Sequence, residues 1–303
     1  MRVHAARSQS AMEYLMTYGW AVLIIGVVLA ALVSLGAFNS ALWGPRASAG
    51  SCKTFRSAVV TTLEGVCNNV IPRSVAQFSG TSSYVTTPPE NTGASSFSVS
   101  FYFYATPVLA AGHYETVISN QYPDYNNNLP KWTVYLDARS YPTLGPLELR
   151  LNDGSQLNDI TPESSVSCEP DLSTVNTWHF VAITVNSASK TYNFYADGNA
   201  CGSGTYTFTG TFVSSNGVII SDASSPSFSG DLADVQIYNT SLDANQVQAL
   251  YVEGIGGVPV NLQHIVGWWP LNGDFNDYSG GGNTGTPTNV VFTSSWTSGY
   301  TTP

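Results

Sequence analysis

Two hydrophobic patterns divide the chain. Leu15 to Phe38 is an uncharged run broken only by Thr17, Tyr18 and Ser34, long enough as a helix to cross a hydrocarbon core of roughly 30 Å. From about Val75 the pattern changes to short β-rich runs parted by Gly, Pro, Asn, Asp and Ser. Phe97 to Tyr104 alternates, which puts Phe97, Val99, Phe101 and Phe103 on a core face and Ser98, Ser100, Tyr102 and Tyr104 on the other. Further strands are predicted over Tyr114 to Ser119, Trp132 to Leu136, Leu147 to Leu151, Trp178 to Val185, Thr191 to Ala196, Val218 to Ser221 and Leu232 to Tyr238. Asn186 to Ser189 and Asp197-Gly198 supply turns between them. One helix is predicted in this part: Asp243 caps it, Gln246 completes a capping box, Val247, Leu250 and Tyr251 form its buried side, and Gly254 ends it.

Charge orients the first segment. Arg2, His4 and Arg7 precede the apolar run and the next basic residues are Arg46 and Lys53, so the positive-inside bias places the N-terminus in the cytoplasm and everything after about residue 39 outside. Gln9-Ser10-Ala11-Met12-Glu13-Tyr14, following Arg7-Ser8 and preceding the apolar run, resembles the class III signal peptide of archaeal type IV pilin-like proteins. Arg7-Ser8 replaces the usual basic residue plus glycine, and Ala11 stands where serine is common. The resemblance implies a leader over 1–8, cleavage between Ser8 and Gln9, and a retained transmembrane or pilin-like helix over 9–38. It further implies that Glu13 pairs with the free amine of Gln9 on an adjacent subunit. A carboxylate beside an apolar helix is costly to bury unpaired; a solvated Glu13 at the membrane interface is the alternative. Gly26, Ala30 and Ser34 form a small-xxx-small stripe that lets helices approach closely, although small residues are common in any membrane helix.

Composition narrows the partners. Of 303 residues only 10% are charged, against roughly 25% in an average protein. With 20 acidic and 10 basic residues the net charge is -10, and no basic stripe or nucleic-acid motif is present. Nucleic acid is therefore an unfavourable partner. Cys52, Cys67, Cys168 and Cys201 lack metal-site spacing and suit disulfides outside the cytoplasm. Chain order suggests Cys52 with Cys67, a short loop within a linker over 39–74, and Cys168 with Cys201; sequence does not prove that pairing. Asn239-Thr240-Ser241 is an N-glycosylation sequon.

Phe78-Ser79-Gly80, Ser83-Tyr84-Val85, Phe97 to Phe103, Trp178-His179-Phe180-Val181, Tyr195-Ala196-Asp197-Gly198 and Gly230 to Tyr238, followed by Ser241-Leu242-Asp243, resemble a laminin-G-like, concanavalin-A-like jelly roll. The resemblance implies a mainly β chain, an antiparallel two-sheet sandwich over 75–303, and glycan or protein recognition, with hydrolysis in some members. Ala233 stands where the family often has aspartate. Val266 to Gly273 and Asp277 to Gly280 resemble the opening strand and loop of the same family, yet come last. Circular permutation, with 265–303 as the permuted strand and tail, is the expected arrangement because Trp268, Trp269 and Phe292 would otherwise be exposed. Strand donation to a neighbour and a vestigial second domain are the alternatives.

No catalytic residues are assigned. Neither Glu115, Glu148, Asp153 nor Asp231 with Asp234 supplies the carboxylate pattern of a sandwich glucanase, and Asp231 and Asp234, three apart, are expected on opposite strand faces. His4, His113, His179 and His264 are scattered, with His179 read as a packed strand residue. Tyr122, Asp124, Tyr125 and Asn126, in the loop Asn120 to Asn128, offer rings and amides for a sugar, or form a solvated turn. Asp274, Asn276 and Asp277 offer hard oxygens for Ca2+, without EF-hand spacing; no metal ligand set is assigned. The expected function is that of a non-enzymatic cell-surface, pilin-like filament subunit that displays an adhesion or glycan-recognition module. The alternatives are a membrane-anchored receptor that does not polymerise and a glycan hydrolase.

Overall fold

The computed structural model describes residues 7–34, 71–89, 96–106, 114–122, 130–137, 147–153, 157–160, 175–207, 217–222 and 227–303. The chain divides into two compact units, Met1–Arg46 and Ala47–Pro303. The first holds helix α1, Arg7–Ser34, whose 28 residues span about 42 Å at 1.5 Å per residue. Among the described residues no helix is long and apolar enough to cross a membrane.

Among the described residues the second unit holds fifteen strands. They are β1 Val75–Ser79, β2 Tyr84–Pro89, β3 Phe97–Ala105, β4 Tyr114–Tyr122, β5 Pro130–Asp137, β6 Leu147–Asp153, β7 Leu157–Ile160, β8 Trp178–Asn186, β9 Thr191–Ala196, β10 Asn199–Thr205, β11 Gly217–Ser221, β12 Ser229–Tyr238, β13 Ile265–Trp269, β14 Thr286–Thr288 and β15 Val291–Thr293; helix α2, Ala244–Glu253, follows β12. An eight-stranded sheet runs β10-β9-β8-β3-β12-β1-β15, with β13 also on β12, and a seven-stranded sheet runs β14-β2-β11-β4-β5-β6-β7. All strand pairs are antiparallel.

The alternation of β3 does what its sequence requires: Phe97, Val99, Phe101 and Phe103 join the core between the sheets, facing Trp132, Val134 and Leu136 of β5 and Leu147, Leu149 and Leu151 of β6. The Phe97 ring stacks on Trp132 at 5.2 Å, which ties the two sheets together. A second apolar layer covers the far side of the eight-stranded sheet. There Tyr102, Trp178, Phe180 and Tyr238 meet Val247 and Leu250 of α2 and Trp268 and Trp296 of the C-terminal tail. Asp243 caps α2 by accepting the Gln246 N–H at 2.9 Å, and the Gln246 side chain accepts the Asp243 N–H at 3.0 Å. The two-residue β9–β10 turn places Asp197 and Gly198 at φ 45° and 78°, as a type I′ hairpin turn demands.

The tail lies within this chain's own sandwich. β13 pairs with β12, β14 with β2 and β15 with β1. Trp269 is completely buried and its indole N–H donates to the Asn283 carbonyl at 2.9 Å.

Candidate functional site

Because Trp132, Val134, Leu136, Leu147, Leu149 and Leu151 face inward, period-two geometry turns Thr133, Tyr135, Asp137, Glu148 and Arg150 to the outer face of the seven-stranded sheet. Register then decides which of these meet. Tyr135 stands opposite Thr116 on one side and Glu148 on the other, Tyr114 opposite Asp137, and Thr133 between Ser119 and Arg150. Arg150 Nη1 donates to the Tyr135 hydroxyl at 3.1 Å, with the guanidinium carbon 4.9 Å from the Tyr135 ring centre. Tyr114 meets the same ring edge-on at 6.0 Å. Thr116 Oγ1 donates to Asp222 Oδ2 at 3.3 Å.

Tyr114, Tyr135 and Arg150 are half-buried, whereas Asp137, Glu148 and Asp222 are buried, and each of these carboxylates is engaged rather than free. Burial raises the Tyr135 hydroxyl pKa and the Arg150 charge opposes that rise, so the phenol stays neutral at physiological pH. The result is a pair of partly exposed rings with a guanidinium fixed over one of them. Rings supply apolar faces to stack on; the guanidinium and hydroxyl supply directed hydrogen bonds.

The sequence named other residues as sites. Ser8 and Gln9 stand in the first turn of α1 and Glu13 one turn later; Ser34 ends the helix. Gly26 and Ala30 are exposed, and a Cβ added at Gly26 would meet nothing within 4 Å. Cys201 is disulfide-bonded, while Cys52, Cys67 and Cys168 lie outside the described residues. Tyr122 ends β4; its side chain, with Asp124, Tyr125 and Asn126, also lies outside them. The base of that loop is fixed by Asn120, whose Oδ1 accepts the Trp132 N–H at 2.6 Å. Asn239 is half-buried at the end of β12.

Two of the residues offered for Ca2+, Asp274 and Asp277, brace the tail loop. Asp277 accepts the N–H groups of Trp268, Ser279 and Asn283 at 2.8–3.1 Å, and Asp274 accepts from the Asn276 N–H and the Tyr278 hydroxyl. Among the described residues no cluster of three His, Cys, Asp or Glu side chains could hold a metal. His179 is buried against Phe103 with Nδ1 3.0 Å from Asp197 Oδ2.

One expectation needs correction. Simple alternation puts Asp231 and Asp234 on opposite faces, but a bulge between Ala233 and Gln236, with Asp234 at φ 49°, inserts a residue and restores the side. Asp231 shares its face with Gln77 and Tyr104, and Asp234 accepts from Trp268 Nε1 and Gln236 Nε2, both at 2.8 Å, in the layer under α2. Burial raises Asp234 from 3.8 to about 7, Asp231 to about 6 and Glu115 to about 7; donated hydrogen bonds oppose the rise at each. Glu115 receives its bond from the Ser229 N–H at 3.3 Å.

Sequence reasoning missed Tyr114, Tyr135, Arg150, Asp137 and Asp222. Tyr114, Tyr135 and Arg150 stand on the polar half of predicted strands, and Asp137 and Asp222 one residue beyond two of them, a signal readable only once strand neighbours are known. The fold has counterparts among solved structures. A protein described as carbohydrate binding, from Bacteroides ovatus ATCC 8483, is similar in fold at a TM-score of 0.52 and 15% identity, over 73% of this chain and 60% of that one. This chain thus spans 60% of the Bacteroides ovatus protein's length. The heptameric SAP-like pentraxin of Limulus polyphemus aligns at a TM-score of 0.47 and 17% identity, over 73% and 94% of the two chains. The Ruminococcus gnavus IT-sialidase CBM40, bound to alpha2,3 sialyllactose, aligns at 0.44 and 12% identity, over 62% and 100%. No curated protein matches the chain in sequence. The Laminin G family model described as the concanavalin A-like lectin/glucanases superfamily matches residues 79–248, more than half of the 303 residues, and the chain belongs to that superfamily.

Proposed function

We propose that the chain is a non-enzymatic cell-surface subunit, pilin-like and filament-forming, that displays a lectin-type sandwich for glycan or surface-protein recognition. In this reading the leader 1–8 is removed, the N-terminus is cytoplasmic before processing, and α1 first sits in the membrane and then packs against α1 of other subunits. The observation that carries it is the surface of α1. Val22, Leu23, Ile24 and Ile25 are consecutive and each more than half exposed, at 66%, 56%, 57% and 59%. Successive helical residues are about 100° apart, so the helix is apolar all round and calls for lipid or other helices on every side. Glu13 and the small residues Gly26 and Ala30 supply the contacts that favour helices over lipid.

Mass spectrometry of the native N-terminus, with electron microscopy of shed filaments, tests this. The expected mature chain starts at Gln9, and Glu13→Ala yields the protein in membranes without filaments. Native chains beginning beyond Phe38, or normal filaments from the variant, overturn it. Processed protein found only in membranes favours the anchored receptor.

For recognition, the platform is Tyr114, Tyr135 and Arg150. Tyr135→Ala is expected to weaken glycan-array binding by the folded variant at least tenfold, about 1.4 kcal/mol. Unchanged array binding refutes the platform. A second reading, hydrolysis, draws on one observation: Asp137 lies diagonally across the β5–β6 ladder from Glu148, on the same face. Release of reducing ends from polysaccharides, abolished by Glu148→Gln, would favour it.

A further inference from the structure

We infer that Asn239 is a covalent glycan attachment site whose amide oxygen keeps its contact with His264 after modification; the inference rests on the surface location proposed above. Asn239-Thr240-Ser241 is the sole Asn-x-Ser/Thr triplet in the chain. It occupies the connection between the end of β12 at Tyr238 and the α2 cap at Asp243, and all three of its residues are half-buried rather than enclosed.

The hydrogen bonding separates the two ends of the amide. His264 Nδ1 lies 2.9 Å from Asn239 Oδ1, a spacing at which the imidazole N–H donates to the amide oxygen. The backbone is fixed at the same place, with the Asn239 N–H donating to the His264 carbonyl at 2.8 Å. Nδ2 makes no hydrogen bond among the described residues. It is also the atom that N-glycosylation uses. The donor class is an oligosaccharide joined through C1 to a lipid-linked phosphate. A bond forms between Nδ2 and C1 while the C1–O bond to the phosphate breaks; the lipid phosphate leaves with that electron pair, and Nδ2 gives up one proton to a base. The product keeps Oδ1 as an acceptor, so the His264 contact survives modification.

Chain order and topology fit the same conclusion. His264 emerges 25 residues after Asn239, so the sequon crosses a membrane before the partner that later immobilises it. Asn239 directly follows β12 of the eight-stranded sheet, whereas Tyr114, Tyr135 and Arg150 belong to the seven-stranded one. A glycan on Asn239 therefore leaves the proposed recognition face open.

The test is peptide mapping by mass spectrometry of the full chain purified from the native cell surface, read for both the N-terminal peptide and the peptide containing Asn239. The expected map shows Gln9 as the first residue and a hexose-containing mass increment on Asn239 that disappears in Ser241→Ala and Asn239→Gln. An unmodified Asn239 in chains that begin at Gln9 overturns the inference and leaves the surface reading standing. An unmodified Asn239 in chains that retain Met1 in the cytosol overturns both. An increment that persists in Ser241→Ala overturns the sequon as its cause.

Discussion

Replacing Asp234 by Asn should change the pH dependence of stability more than stability itself. Burial under α2 raises this carboxyl from 3.8 to about 7, against the opposing donations of Gln236 and Trp268 and with the negative Glu253 adding to the rise. At roughly 1.4 kcal/mol per tenfold change in proton affinity, the ionised form costs the fold about 4 kcal/mol relative to the unfolded chain. Below about pH 4 the group is protonated in both states and costs nothing. Between about pH 4 and pH 7 the unfolded chain releases the proton while the native one keeps it, so stability falls as pH rises. Above pH 7 the whole cost is present. Glu115, raised to about 7, and Asp231, raised to about 6, slope the same way.

The Asp234→Asn substitution removes the titration. The new amide's carbonyl can still accept the Trp268 indole N–H, but its NH2 meets the Gln236 NH2, so Gln236 must turn its oxygen inward and release the Tyr238 hydroxyl that now donates to it. That exchange costs about 1 kcal/mol. Urea unfolding of the full-length protein in detergent, followed by tryptophan fluorescence from about pH 3 to 8, should show curves that cross near about pH 4.5. The variant is less stable at acid pH, more stable at pH 8, and flatter by up to about 4 kcal/mol. Parallel curves would refute the assignment of a buried, proton-retaining carboxyl at this bulge.

Two further outcomes follow from local geometry. Asp243→Ala removes the α2 cap and should lower the urea midpoint by the equivalent of about 1 kcal/mol with an unchanged m-value. Gly230→Ala puts a Cβ 2.0 Å from the Tyr104 carbonyl oxygen at φ 140°, in a region closed to L side chains, and should cost at least about 2 kcal/mol in thermal unfolding; an unchanged midpoint would show that β12 relaxes away from β3.

Much of the sandwich was legible because its central strands obey one simple rule. The alternation of Phe97 to Tyr104 identified Phe97, Val99, Phe101 and Phe103 as core residues, and all four are buried as expected. The same pattern did not reveal that Ser98, Ser100 and Tyr102 would be buried too, because the layer over them comes from α2 and from the chain's last residues. Ser98 shows how such a residue is accommodated: its hydroxyl donates to the Thr240 carbonyl and accepts the Leu242 N–H. Among the strands left unpredicted are β7, β10, β14 and β15, which end the two sheets among the described residues. An edge packs against one neighbour and carries little apolar alternation, as Asn199 to Thr205 shows with its Gly and Ser residues. Tyr114, Tyr135 and Arg150 were illegible for another reason. They come together only through register, and nothing local in the sequence places Arg150 over a ring 15 residues before it.

The Asp234 bulge explains why the tail cannot be an appendage. One edge of β12 is divided: residues 229–232 pair with β1, and residues 235–238 pair with β13. Two separate strands cannot continue one another's register without an adjustment on the strand they share, and the extra residue at Asp234 supplies it. Its N–H donates to the Pro270 carbonyl just beyond β13, and its carboxylate receives the Trp268 indole. The tail also fastens the start of the domain. The Trp296 indole donates to the Pro72 carbonyl, and Asn272 Oδ1 accepts the N–H groups of Arg73 and Ser74. A chain ending at residue 264 would expose the β12 edge along Val235 to Tyr238 and lose the buried Trp268 and Trp269, each worth about 3–5 kcal/mol by the usual cost of emptying such a site. That sum rivals the whole stability of an ordinary domain, so the sandwich closes only when the last segment has been made and has returned to lie beside the first.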